Sequence, residues 1–66
     1  MRLSVNGETR ELPEGTTVRG LIGLLELPLD GVAVAVNLEV VPRTEQPRRV
    51  LAEGDRVEVV RAVGGG

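Results

Sequence analysis

The sequence contains no cysteine, histidine, lysine, phenylalanine, tyrosine or tryptophan. Without cysteine there is no disulfide staple, no thiolate nucleophile and no thiolate metal site. Without histidine the commonest metal ligand and the commonest acid–base catalyst are both missing. A self-contained enzyme active site is therefore the least favoured reading, and a non-catalytic protein is expected. Lacking aromatics, the core has to be built from the 12 valines and 9 leucines, and there is no platform on which nucleic-acid bases could stack. Nor is there an excess of positive charge. Eight basic and ten acidic residues give a net charge of −2 and a pI near 5.0, whereas nucleic-acid binding draws on a basic surface. The longest apolar run, residues 32–36, is far short of the roughly 20 residues that span a bilayer. Strand-like residues begin at Met1, so no signal peptide is expected. These features lead to the expectation of a soluble, cytoplasmic protein with neither nucleic acid nor membrane as partner.

What is present alternates between strand and turn signals. Met1, Leu3 and Val5 alternate with Arg2 and Ser4, the period of a half-buried strand. Asn6-Gly7 follows, a hairpin signal because both residues tolerate positive φ. The return strand, about Glu8 to Leu12, holds a single apolar residue and reads as an edge strand. A strict two-residue turn would set Glu8 and Arg10 on the face of Val5, so a loop one residue longer is expected. Pro13-Glu14-Gly15 breaks the strand, and Thr16 or Thr17 offers an N-cap hydroxyl. Val18, Leu21, Ile22 and Leu25 then form one apolar helical stripe. Gly20 and Gly23 weaken that helix by about 1 kcal/mol each relative to alanine, so it has to be held by packing. Pro28 and Asp30-Gly31 are expected to end it.

Val32-Ala33-Val34-Ala35-Val36 is apolar at every position. The valines are expected to pack on the helix. Ala33 and Ala35 then lie on the opposite face, where a sheet open to water normally carries polar residues. That face is read either as a harmless alanine surface or as a partner-docking surface. Val40-Val41 forms a short strand stopped by Pro42, and residues 42–49 read as a loop with one turn of 3₁₀ helix near Thr44. Val50-Leu51 re-enters the core, and Glu53-Gly54-Asp55 is a tight turn. The last strand, Arg56 to Arg61, points Val57 and Val59 inward and Glu58 and Val60 outward. The pattern predicts an α+β unit over residues 1–61: a β-grasp (ubiquitin-like) arrangement, with a mixed four- to five-stranded sheet and one main helix packed on one face. Residues 62–66 are expected to be a flexible glycine-rich tail.

The chain closes on Ala62-Val63-Gly64-Gly65-Gly66. With 9 glycines among 66 residues, three together at the end arise by chance in roughly two of a thousand orderings. Glycines suit a tail whose terminal carboxylate reacts. Lacking Cβ, they pass through a narrow channel and leave the terminal carbonyl open to attack. All eight basic residues are arginine. Genome composition accounts for this, and so does the advantage, to a protein with an activated acyl terminus, of lacking amines that would capture it.

The chain resembles the ubiquitin-like sulfur carriers, and most closely the ThiS-type carriers of thiamine biosynthesis, over its whole length. The resemblance is carried by Asn6-Gly7, Thr17-Val18, Leu24-Leu25, Val34-Ala35-Val36-Asn37, Val41-Pro42-Arg43, Gly54-Asp55-Arg56-Val57-Glu58 and the closing Ala62 to Gly66. Leu38, where these carriers often have glycine, and Gln46-Pro47, where an aromatic is common, depart from it. The resemblance implies that an E1-like adenylating enzyme of the ThiF type uses ATP and magnesium to activate the Gly66 carboxylate, this chain binding neither. A persulfide sulfur supplied through a cysteine desulfurase then leaves a thiocarboxylate on Gly66, which a ThiG-type thiazole synthase accepts. Gly64 and Gly65 thread the partner sites. Val60, Ala33 and Ala35 form the docking face, with Arg61 and Arg43 as candidates for pairing with acidic groups of a partner. Sister carriers serving molybdopterin synthesis or tRNA thiolation, a protein modifier and a non-covalent β-grasp binding module are the alternatives.

Overall fold

The computed structural model describes residues 1–28 and 30–61. Five strands and one helix appear among them: β1 (Arg2–Val5), β2 (Glu8–Glu11), α1 (Val18–Leu24), β3 (Val32–Val36), β4 (Glu39–Val41) and β5 (Arg56–Arg61), with a 3₁₀ turn at Arg43–Glu45. The strands form a single mixed sheet in the order β2-β1-β5-β3-β4. Its centre is the parallel pair β1 and β5, and the other neighbours run antiparallel. This is the expected β-grasp sheet, with five strands. None of the described helices is long and apolar enough to cross a membrane.

One face of the sheet holds the core. Leu3, Val5, Val34, Val36, Val57 and Val59 meet the helical stripe of Val18, Leu21 and Ile22, and Leu12, Val41 and Leu51 close the edges. The helix is only seven residues long and contains two glycines, so propensity cannot sustain it. Its N-terminal donors are satisfied from outside instead. The Thr17 hydroxyl accepts from the Gly20 N–H at 3.1 Å. The carbonyls of Arg49 and Gln46 accept from the N–H groups of Val18 and Arg19 at 2.9 and 3.0 Å. The 42–49 loop thus supplies acceptors for donors that a helix cannot satisfy internally.

Three expectations are corrected. The β1–β2 loop is not lengthened: Val5 pairs directly with Glu8, and Asn6 and Gly7 have φ of 51° and 83°, the left-handed pair that a two-residue hairpin turn requires. Glu8 and Arg10 do share the core face, but β2 lies at the sheet edge with all four residues exposed, so their charges stay in water. The helix ends before Pro28. Glu26 takes φ 57°, the Glu26 N–H donates to Gly23 and the Leu27 N–H to Ile22. That hydrogen-bond pair closes a helix through a left-handed residue. Val50 is exposed while Leu51 is buried. Val50 sits in an isolated bridge to Thr17, and in extended chain adjacent side chains point to opposite sides.

Candidate functional site

The face of the sheet turned away from the helix carries the outward residues of β3, β4 and β5. Register brings them together: Ala33 lies opposite Val60, and Ala35 lies between Glu58 on one side and Val40 on the other. The two alanines are short and their flanking valines are long, so the surface dips into a shallow apolar groove. Ala33, Ala35, Leu38, Val40, Glu58 and Val60 line it. Three of these are large aliphatic side chains that are mostly in water, Leu38 at 77%, Val40 at 71% and Val60 at 62% exposure. A contiguous apolar patch of this kind marks an interaction surface more often than does a single exposed leucine. Glu58 supplies the one charge on the lining.

Val60, Ala33 and Ala35 are therefore brought together. Arg61 is exposed at the end of β5, opposite Val32. Arg43 is placed elsewhere, in the 3₁₀ turn, where it pairs with Asp30 at 2.6 Å and does not line the groove. Both members of that pair are mostly exposed, so it is worth at most about 1 kcal/mol and exchanges readily for another partner. Gly64, Gly65 and Gly66, with the rest of 62–66, lie outside the described residues. Among the described residues no three Asp or Glu side chains converge to hold a metal ion.

Leu38 and Val40 were not foreseen as part of this face. Val40 was legible, because Val41 points into the core and strand alternation sends its neighbour out. Leu38 was visible only as an odd residue after Asn37. Asn37 and Leu38 take φ of 52° and 69°, with Val36 paired to Glu39 across them. This is a second two-residue hairpin turn, with leucine where glycine is cheapest. Left-handed backbone costs a residue with Cβ roughly 1–2 kcal/mol. Exposed and strained, this leucine contributes nothing visible to the fold. Leu38→Gly is expected to raise stability by about 1 kcal/mol, read as a higher urea midpoint with unchanged slope. An unchanged or lower midpoint would show that the leucine has stabilising contacts of its own.

A family model described as the ThiS family matches residues 3–66. A sulfur carrier protein ThiS of Thermus thermophilus is 44% identical over 62 residues, covering 94% of this chain and 95% of the relative. A thiazole synthase of Paramagnetospirillum magneticum is 39% identical over 66 residues, all of this chain but 20% of the relative. The chain thus spans about a fifth of the length of that thiazole synthase. Among solved structures, the crystal structure of a thiamine biosynthesis protein (ThiS) from Geobacter metallireducens superposes with a TM-score of 0.84 at 32% identity, covering all of both chains.

Proposed function

The chain belongs to the ThiS family, and from that membership we propose that it carries sulfur for thiazole formation in thiamine biosynthesis, with the carboxylate of Gly66 as the carrying group. The observation that supports this reading most is that the family match extends through the three closing glycines to residue 66. In the reaction, the Gly66 carboxylate attacks the α-phosphorus of ATP and displaces pyrophosphate. The resulting acyl-adenylate exchanges a poor leaving group for a good one. The terminal sulfur of a persulfide, derived from cysteine through a desulfurase, attacks the acyl carbon and AMP departs. A thiol cleaves the acyl disulfide so formed, and the thiocarboxylate remains on Gly66. This reading assigns ATP and magnesium to an E1-like adenylating partner and the chemical steps to the partner enzymes, this chain being their substrate.

The apolar groove is the docking surface in this reading. Val60 lies on β5, which leads to the tail, Ala33 and Ala35 lie beside it on β3, and Arg61 at the root of the tail pairs with partner carboxylates. Arg43 pairs with one only by leaving Asp30. Gly64 and Gly65 pass through the partner's channel because the lack of Cβ minimises their cross-section. Thiazole synthase is favoured as acceptor over a molybdopterin or tRNA thiolation system because a relative bearing that name carries a segment similar to this whole chain.

Intact-mass spectrometry tests the reading. The protein is incubated with the adenylating enzyme of its genome, ATP, magnesium and a sulfur source. A mass gain equal to one oxygen exchanged for sulfur is expected, and thiazole synthase with its other substrates returns the original mass. Neither gain nor adenylate adduct, with an adenylating enzyme active on another carrier, would leave the non-covalent binding module as the better reading.

A further inference from the structure

Strand β5 outruns the strand beside it. Parallel pairing with β1 ends at Val5 and Val57, because the chain then turns away through Asn6-Gly7 into β2. On its other side β5 stays paired with β3 as far as Arg61. From residue 58 onward, β5 would therefore be a free sheet edge, and at Val60 and Arg61 it has only β3 beside it, a two-stranded pairing that is marginal in water by itself.

Asn6 fills this gap with its side chain. Its backbone N–H donates to the Val57 carbonyl at 2.9 Å, as a regular ladder residue would. Its Oδ1 accepts from the Val59 N–H at 2.8 Å, and its Nδ2 donates to the Val59 carbonyl at 3.1 Å. The carboxamide takes the place of the peptide group that the turn has removed. One residue, at a left-handed φ of 51°, thus makes the hairpin and extends the central ladder by one pair. The turn accepts asparagine or glycine at this position, and the two bonds to Val59 are what asparagine adds.

We propose that Asn6 is a positioning residue for the carrier reaction: it secures β5 as far as Val59, two residues before the strand ends, so that the five residues after Arg61 start from a fixed point and carry Gly66 within a bounded reach of the docking groove. The proposal rests on the reading of Gly66 as the reacting terminus. Five extended residues reach at most about 18 Å. Their reach is useful only if the point where they leave the sheet is stationary, since small misplacements of a reacting group are costly in rate. The carboxamide bonds Val59 and none of the groove residues, so docking is expected to persist while alignment at the reacting carbon is lost.

The test compares full-length protein with Asn6→Gly, which keeps the turn and deletes the amide, and with Asn6→Asp, which keeps an acceptor for Val59 N–H but sets an oxygen against its carbonyl. All three are assayed with the ThiF-type enzyme by ATP–pyrophosphate exchange, at a temperature where circular dichroism shows each folded. The expected result is a loss of kcat of about tenfold in both variants, with KM for the carrier changed less than about twofold. Amide hydrogen exchange is expected to accelerate at Val59, Val60 and Arg61 and not at Leu3 or Val34. Wild-type kcat in Asn6→Gly, a loss confined to KM, or acceleration shared equally by Leu3 and Val34 overturns the proposal. A wild-type protein that never supports exchange brings down the carrier reading itself, and the role of Asn6 falls with it.

Discussion

Deleting Gly66 is expected to abolish thiocarboxylate formation and leave the fold unchanged. The truncated chain still ends in a glycine carboxylate, so the chemistry of the reacting group is the same. What changes is reach, by about 3.5 Å for one extended residue. Misplacement of a reacting atom by a single ångström can cost about 100-fold in rate, so a shift several times larger removes the acyl carbon from the enzyme's site altogether. The core is built from residues between Leu3 and Val59, so the deletion removes no core residue. Thermal melting of the truncated and intact chains should therefore coincide, while the mass gain disappears. Appending one further glycine displaces the carboxylate by a similar distance in the opposite sense and should fail equally. Sulfur still appearing on the truncated chain would place the acceptor on another group and overturn the assignment to Gly66.

Val60→Arg is expected to weaken binding of thiazole synthase by about 100-fold, with little effect on stability. Val60 lies opposite Ala33 in the groove and is mostly exposed, so its side chain contributes little to the core. An outward substitution on a strand costs within about 1 kcal/mol, and here an arginine lies on the same face as Glu58. Docked, the long arginine stem would fill a groove that depends on the short Ala33 and Ala35, and the guanidinium would lose its water with Glu58 as its one charged neighbour in the lining. Desolvating a charge and disrupting packing at an interface together cost several kcal/mol, and about 2.7 kcal/mol corresponds to 100-fold in affinity. Titration calorimetry against thiazole synthase reads the affinity, and urea denaturation reads the stability. Undiminished affinity would mean that the partner docks elsewhere on the molecule. The strain at Leu38 fits the same surface: an exposed leucine in left-handed backbone is a cost to the free protein, of the kind retained where a surface is used for binding.

Much of this was legible in the chain. The strand at Leu3 and Val5, the capped helix with its Val18-Leu21-Ile22 stripe, the 3₁₀ turn after Pro42 and the inward valines of β5 all follow from local signals. Hydrophobic period and turn chemistry act over a few residues, so they can be read without knowing what lies across the fold. The terminal glycines were legible for the same reason. The errors also have local causes. The charges of Glu8 and Arg10 suggest a longer loop that avoids the core face, but that face is uncovered at β2. Val50 and Leu51 read alike because both are apolar, although extended chain points them apart.

The assembly of the site depended on contacts far apart in sequence. No local pattern brings β5 between β1 and β3, or sets Ala33 against Val60 and Ala35 between Glu58 and Val40. The sheet decides that through pairings across the length of the chain, and a shift of one residue in any of them would send its side chains to the opposite face. Asn6 is the plainest case. Its residue type announces a turn, and turn geometry explains its φ. Its hold on Val59, 53 positions away, exists because the central strand happens to outrun its neighbour there. A hydrogen bond needs its partner within about 3 Å, and chain order carries no such distance.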